Sequence, residues 1–126
     1  MKNAWISIGI FIVMLGGMFY SLNYLNKSCE KIENDSARLE TLLNDEKWKE
    51  AYDLSNKLYY DWEEKAQIMP VFVNHMEIDA LNNEILKLTQ YVKTKSKDEA
   101  LASAHSVKFY VKNIQSLQKV NIQNIF

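Results

Sequence analysis

After Gly17 the chain contains no glycine, and Pro70 is its single proline. Sheet architectures need residues that turn the backbone tightly every few positions, and glycine and proline are the strongest of these. So long a run with one such breaker predicts helices joined by few, short connections.

The apolar residues recur at helical spacing. Ile32, Leu39 and Leu42-Leu43, with Ser36 on the same face, make a short first amphipathic segment. Asn44-Asp45 interrupts it, and Asp45 with Glu46 suits the start of the next helix, where carboxylates cap free N–H groups and complement the helix dipole. Trp48, Ala51, Ser55, Leu58, Trp62 and Ala66 form a second stripe, small residues alternating with bulky ones as interdigitated packing requires. Proline is tolerated in a first turn and harmful in a helix interior. A third helix is therefore expected to begin near Pro70, through Phe72, His75, Ile78, Asp79, Leu81, Ile85, Leu88 and Val92, with a kinked continuous helix as the alternative. Lys93-Thr94-Lys95-Ser96 is a polar link, and Ser96 with Glu99 has capping-box spacing. Ala100, Ala104, Val107, Val111, Ile114 and Leu117 carry the fourth stripe. The expected class is all-α: an N-terminal transmembrane helix followed by a small antiparallel helical bundle.

The anchor is residues 4–25, AWISIGIFIVMLGGMFYSLNYL, which carry no charge. As a helix this stretch is roughly 33 Å long, against a hydrocarbon core of about 30 Å. A secretory signal has an apolar region of about 7–15 residues ending in small residues at the cleavage site. Here Phe19, Tyr20 and Tyr24 occupy that edge, and Trp5 lies at the other end, the placement of interfacial anchors. Asn26-Lys27-Ser28 before Cys29 is no lipobox. The sequence thus divides into an anchor at 1–27 and a bundle domain at 28–126, with the lipid bilayer as partner through residues 4–25 and a single-pass location in the cell membrane. Lys2 on one side and Lys27 and Lys31 on the other do not favour an N-terminus inside the cell. Gly16-Gly17 lacks the G-x-x-x-G spacing of dimerising spans.

Once Lys2 is set aside, 14 basic residues face 16 acidic ones, so the domain carries net negative charge. That excludes the basic face of a nucleic-acid binder and the polybasic tether of a membrane-surface protein. One cysteine forms no internal disulfide; Cys29 is either free or paired between chains. No phosphate-binding loop, nucleophile elbow or H-E-x-x-H pair occurs, so no catalytic residue, no cofactor and no enzymatic activity are expected.

One constellation has chemical potential. His75 and Asp79 are four residues apart and share a helix face. Such a pair can hold a metal or form an oriented base, yet zinc wants at least three protein groups. His105 is offset from His75 by roughly 15 Å along the helices, too far to share a ligand. The expected arrangement is a structural polar network of Trp62, His75 and Asp79, because a half-buried carboxylate needs a donor. The terminus, Val120 to Phe126, is apolar; Ile125 and Phe126 either dock back on the bundle or contact a partner.

The N-terminal span, Trp48 and Trp62, the run His75, Glu77 and Asp79, and the final Asn124-Ile125-Phe126 together resemble the family DUF4363. The resemblance implies a small membrane-anchored helical protein of spore-forming and related Firmicutes, its domain on the outer side of the membrane, with no reaction assigned. The function expected is a non-enzymatic interaction or assembly module that binds another membrane or envelope protein. The alternative is a small metal- or ligand-binding sensor using the His75/Asp79 face.

Overall fold

The computed structural model describes residues 1–68 and 74–125, with the backbone alone at 68, 120–122, 124 and 125. Four helices follow in order: α1 (Lys2–Asn44), α2 (Trp48–Ile68), α3 (His75–Lys93) and α4 (Lys97–Ile125). Each packs on its neighbours in sequence, and α4 closes the ring against α1, giving an antiparallel bundle.

The buried positions explain that ring. On α1 the seam runs through Leu25, Cys29, Ile32, Ser36, Leu39 and Leu43, in alternating steps of four and three residues, with Ser28 buried beside it. Ala51, Ser55, Leu58 and Trp62 on α2 keep the same spacing, as do Ile78, Leu81, Ile85, Leu88 and Val92 on α3 and Ala104, Val107, Val111, Ile114 and Gln118 on α4. A repeat averaging 3.5 residues keeps one seam facing the bundle axis along gently supercoiled helices. Following this alternation, the seam of α4 passes from Ile114 to Gln118, so Leu117, expected in the core, is 42% exposed. Two buried hydroxyls are satisfied locally, Ser28 donating to the Tyr24 carbonyl at 2.9 Å and Ser55 to that of Tyr52 at 2.8 Å, whereas the Ser36 hydroxyl in the seam has no partner among the described residues.

The expected short first segment and the apolar stretch are one uninterrupted helix of 43 residues. The chain changes polarity near residue 26, but polarity decides what medium a helix faces; breaking its backbone takes glycine or proline. No break marks the expected boundary between 27 and 28.

Asp45 and Glu46 do not open α2. They close α1, with Glu46 in the left-handed region at φ 55° and backbone bonds from Glu46 N to Leu43 O (3.1 Å) and Lys47 N to Leu42 O (2.9 Å). The same device ends α3: Lys95 has φ 56°, with bonds from Lys95 N to Val92 O (3.1 Å) and Ser96 N to Tyr91 O (2.9 Å). These are Schellman caps, in which the left-handed position is usually glycine. Ser96 does not form the expected capping box among the described residues; its hydroxyl meets that of Thr94 at 3.1 Å. A side chain in the left-handed region costs about 1 kcal/mol, part of which glycine returns as unfolded-state entropy. Glu46→Gly is therefore expected to raise stability by about 0.5 kcal/mol, read as a higher denaturation midpoint; a lower midpoint would mean that the cap is not left-handed in solution.

Candidate functional site

Three places gather polar or aromatic groups that the core does not use. The first is the start of α3. Asn74 caps the helix, its Oδ1 accepting from the Met76 N–H at 3.0 Å, and so fixes where His75 begins the first turn. His75 and Asp79 are both exposed, and with Glu63, Ala66 and Gln67 of α2 and Ile78 and Asn82 of α3 they border a cleft of about 260 Å³. Ile78 is the residue that faces the axis here. Asp79 is one position further round the helix, and His75 lies beyond the last buried residue of the α3 seam.

The expected Trp62–His75–Asp79 network is therefore not formed. Trp62 is 1% exposed and deep in the core, its Nε1 has no hydrogen-bond partner, and no bond links it to His75 or Asp79 among the described residues. The sequence places Trp62 on the second stripe and His75 with Asp79 on the apolar face of the third, whereas the seam spacing takes only Trp62 inward. Glu77, between His75 and Asp79, accepts from Asn113 Nδ2 at 3.4 Å and ties α3 to α4. Among the described residues no group of three or more His, Cys, Asp or Glu side chains is placed to share a metal ion.

The second place lies outside the residues that the sequence singles out as a site. Between α1 and α4 a groove of about 730 Å³ is lined by Glu40, Asn44, Leu101, His105, Phe109 and Tyr110, among others. Glu40 holds its polar side, accepting from Lys108 Nζ at 2.9 Å and lying 3.3 Å from His105 Nδ1. Phe109 is 69% exposed and meets Tyr110 edge to face. The available signal was an aromatic residue off the α4 stripe.

The third is the end of the bundle at which α1 emerges. Lys31 donates to Asp61 Oδ2 at 2.8 Å; this hydrogen bond holds the Asp61 carboxyl below its ordinary range and the Lys31 ammonium above its own. Both side chains are partly exposed, so the pair fixes register more than it adds stability. Cys29, beside it in sequence, is free and fully buried, and burial, with Glu30 and Glu33 adding to it, pushes its thiol up to about 12. A thiol so placed forms no interchain disulfide without unfolding. The side chain of Ile125 and the whole of Phe126 lie outside the described residues.

Residues 2–44 include a segment long and apolar enough to cross a membrane, with only 6% of that segment buried within the protein. No curated protein and no solved structure matches the chain. The sequence model described as "Domain of unknown function (DUF4363)" matches residues 19–125, nearly the whole bundle together with the end of the apolar stretch, and the chain belongs to that family.

Proposed function

We infer that this protein is a membrane-anchored, non-enzymatic interaction module that holds a helical bundle against another membrane or envelope protein. The observation supporting this is the continuity of α1. From Trp5 to Met14 its large apolar side chains are at least half exposed, and further along the same helix supplies one wall of the core. Bare apolar surface on that scale is unfavourable in water and favourable in lipid. A helix without a hinge also fixes the height and rotation of the bundle relative to the bilayer, which suits a part that meets a neighbour in a set geometry. A cleaved signal would require the chain to be cut within a helix whose core-facing seam has already begun.

In this reading the domain lies on the outer side of the membrane. The lysines at the domain end of the stretch weigh the other way under the positive-inside rule. One experiment addresses both points. The full chain, tagged at its N-terminus, is crosslinked in intact cells with a membrane-impermeant amine reagent, extracted in detergent and analysed by mass spectrometry. The expected result is one reproducible membrane partner, reduced or lost when Ile125 and Phe126 are deleted. Self-crosslinks alone would remove the partner reading, and crosslinks seen only with a permeant reagent would put the domain inside.

A further inference from the structure

The charges of the bundle end at a common level. On α1 the first charge after the apolar stretch is Lys27, four residues before Lys31. On α2 the last is Lys65, four residues beyond Asp61, the partner of Lys31. The helices are antiparallel, so Lys27 and Lys65 share a level. On α4 the last charge is Lys119, which borders a cleft with Asn26, Glu30 and Glu33 of α1. It lies seven residues below Lys112, just as Asn26 lies seven below Glu33, the residue that Lys112 approaches at 3.6 Å. Beyond these lysines no Asp, Glu, Lys or Arg occurs from Ala66 to Met76 or from Val120 to Phe126.

The helices also overlap the apolar stretch. From Lys119 the backbone of α4 continues to Ile125, six residues or about 9 Å, which brings its end level with about residue 20 of α1. A second observation agrees. Leu15, Met18, Ser21 and Leu22 are half-buried, whereas residues 1–14 are exposed on every side. Protein thus covers one face of α1 well inside the segment that would cross the membrane.

We propose that the bundle is seated in the bilayer that α1 crosses: the foot of α2, the start of α3 and the last turns of α4 lie in its interfacial layer, with Lys27, Lys65 and Lys119 at the lipid phosphates. The partner of this end is the lipid surface itself. Lysines suit that boundary because their stems lie along apolar surface while the ammonium reaches the phosphate. Uncharged helix ends bearing Gln67, Met76 (77% exposed) and Gln123 suit the layer beneath. On α3 the first charge is acidic, Glu77, and its carboxylate is engaged by Asn113. The inference rests on the anchoring proposed above, so its test separates the two.

The full chain is reconstituted in nanodiscs of phosphatidylethanolamine and phosphatidylglycerol, whose two faces are both open to solvent, and alkylated with a charged maleimide. Four variants each carry one introduced thiol: Gln67→Cys and Gln123→Cys at the seated end, Val13→Cys in the anchor, and Gln90→Cys near the far end. All four positions are exposed in the protein itself, so protection reports lipid. The unaltered chain is the blank, because Cys29 is buried and protonated. Raising a thiol pKa by one unit in a low-dielectric layer lowers its thiolate fraction about tenfold. Gln67→Cys and Gln123→Cys are accordingly expected to react at least about tenfold more slowly than Gln90→Cys, as Val13→Cys does, and to react equally once dissolved in SDS. If Val13→Cys is protected but the other two match Gln90→Cys, the bundle stands clear of the membrane and the proposal is overturned while the anchoring remains. If Val13→Cys also reacts freely, both are overturned.

Discussion

Trp62→Ala is expected to cost the fold about 4 kcal/mol, and Asp79→Ala less than about 0.5 kcal/mol. Trp62 is the largest fully buried side chain among the described residues, one position beyond Asp61, the partner of Lys31. Removing the ring opens a cavity in a close-packed core, which relaxes only in part. Asp79 is exposed and its side chain makes no hydrogen bond among the described residues. Trp62→Phe sharpens the contrast. It deletes Nε1, which has no partner among the described residues, while keeping most of the apolar bulk, so it is expected to cost about 1.5 kcal/mol or less. Urea denaturation of the full chain in detergent, followed by far-ultraviolet circular dichroism, reads all three. If Asp79→Ala costs as much as Trp62→Phe, and the double variant costs no more than either single one, a Trp62–Asp79 hydrogen bond exists in solution and the geometry described above is wrong.

Inserting one alanine between Asp35 and Ser36 is expected to abolish cooperative unfolding. One extra residue rotates everything after it by about 100° relative to everything before. Ser36, Leu39 and Leu43, all at 0% exposure, would leave the seam together. Each displaced leucine costs about 2–5 kcal/mol, against a total stability of about 5–15 kcal/mol for a domain of ordinary size. The same insertion between Val13 and Met14 is expected to leave the bundle unchanged, since every residue up to Met14 is exposed. Alkylation of Cys29 gives an independent reading: the inner insertion makes it reactive and the outer one leaves it protected. A wild-type melt from the inner insertion would show that the seam of α1 does not hold the bundle together.

The four helices were legible in the sequence because a chain without glycine after residue 17 has few ways to turn, and a stripe of apolar residues at helical spacing has one face to bury. Most of the seam was legible for the same reason, from Ala51 to Trp62 and from Ile78 to Val92. The exceptions lie where periodicity is ambiguous by one residue. Leu117 and Gln118 both continue the α4 stripe by spacing; the alternation set by Val111 and Ile114 selects Gln118, and hydropathy alone points to Leu117. His75 and Asp79 failed in the same way at the start of α3, where a residue on the apolar side of a helix can lie past the end of the core.

Composition and periodicity by themselves determined the all-helical class, the number and order of the helices on the bundle, and an apolar stretch long enough to cross a bilayer, since these depend on local backbone preference and on the hydrophobicity of neighbouring residues. Only the tertiary structure decided what depends on residues far apart in sequence. It set which helices adjoin, it formed the groove beside Glu40 between α1 and α4, and it left the indole of Trp62 without a partner among the described residues. It also brought Lys27, Lys65 and Lys119 to one level, because axial register between antiparallel helices is fixed by packing across the core, and no single helix contains that information.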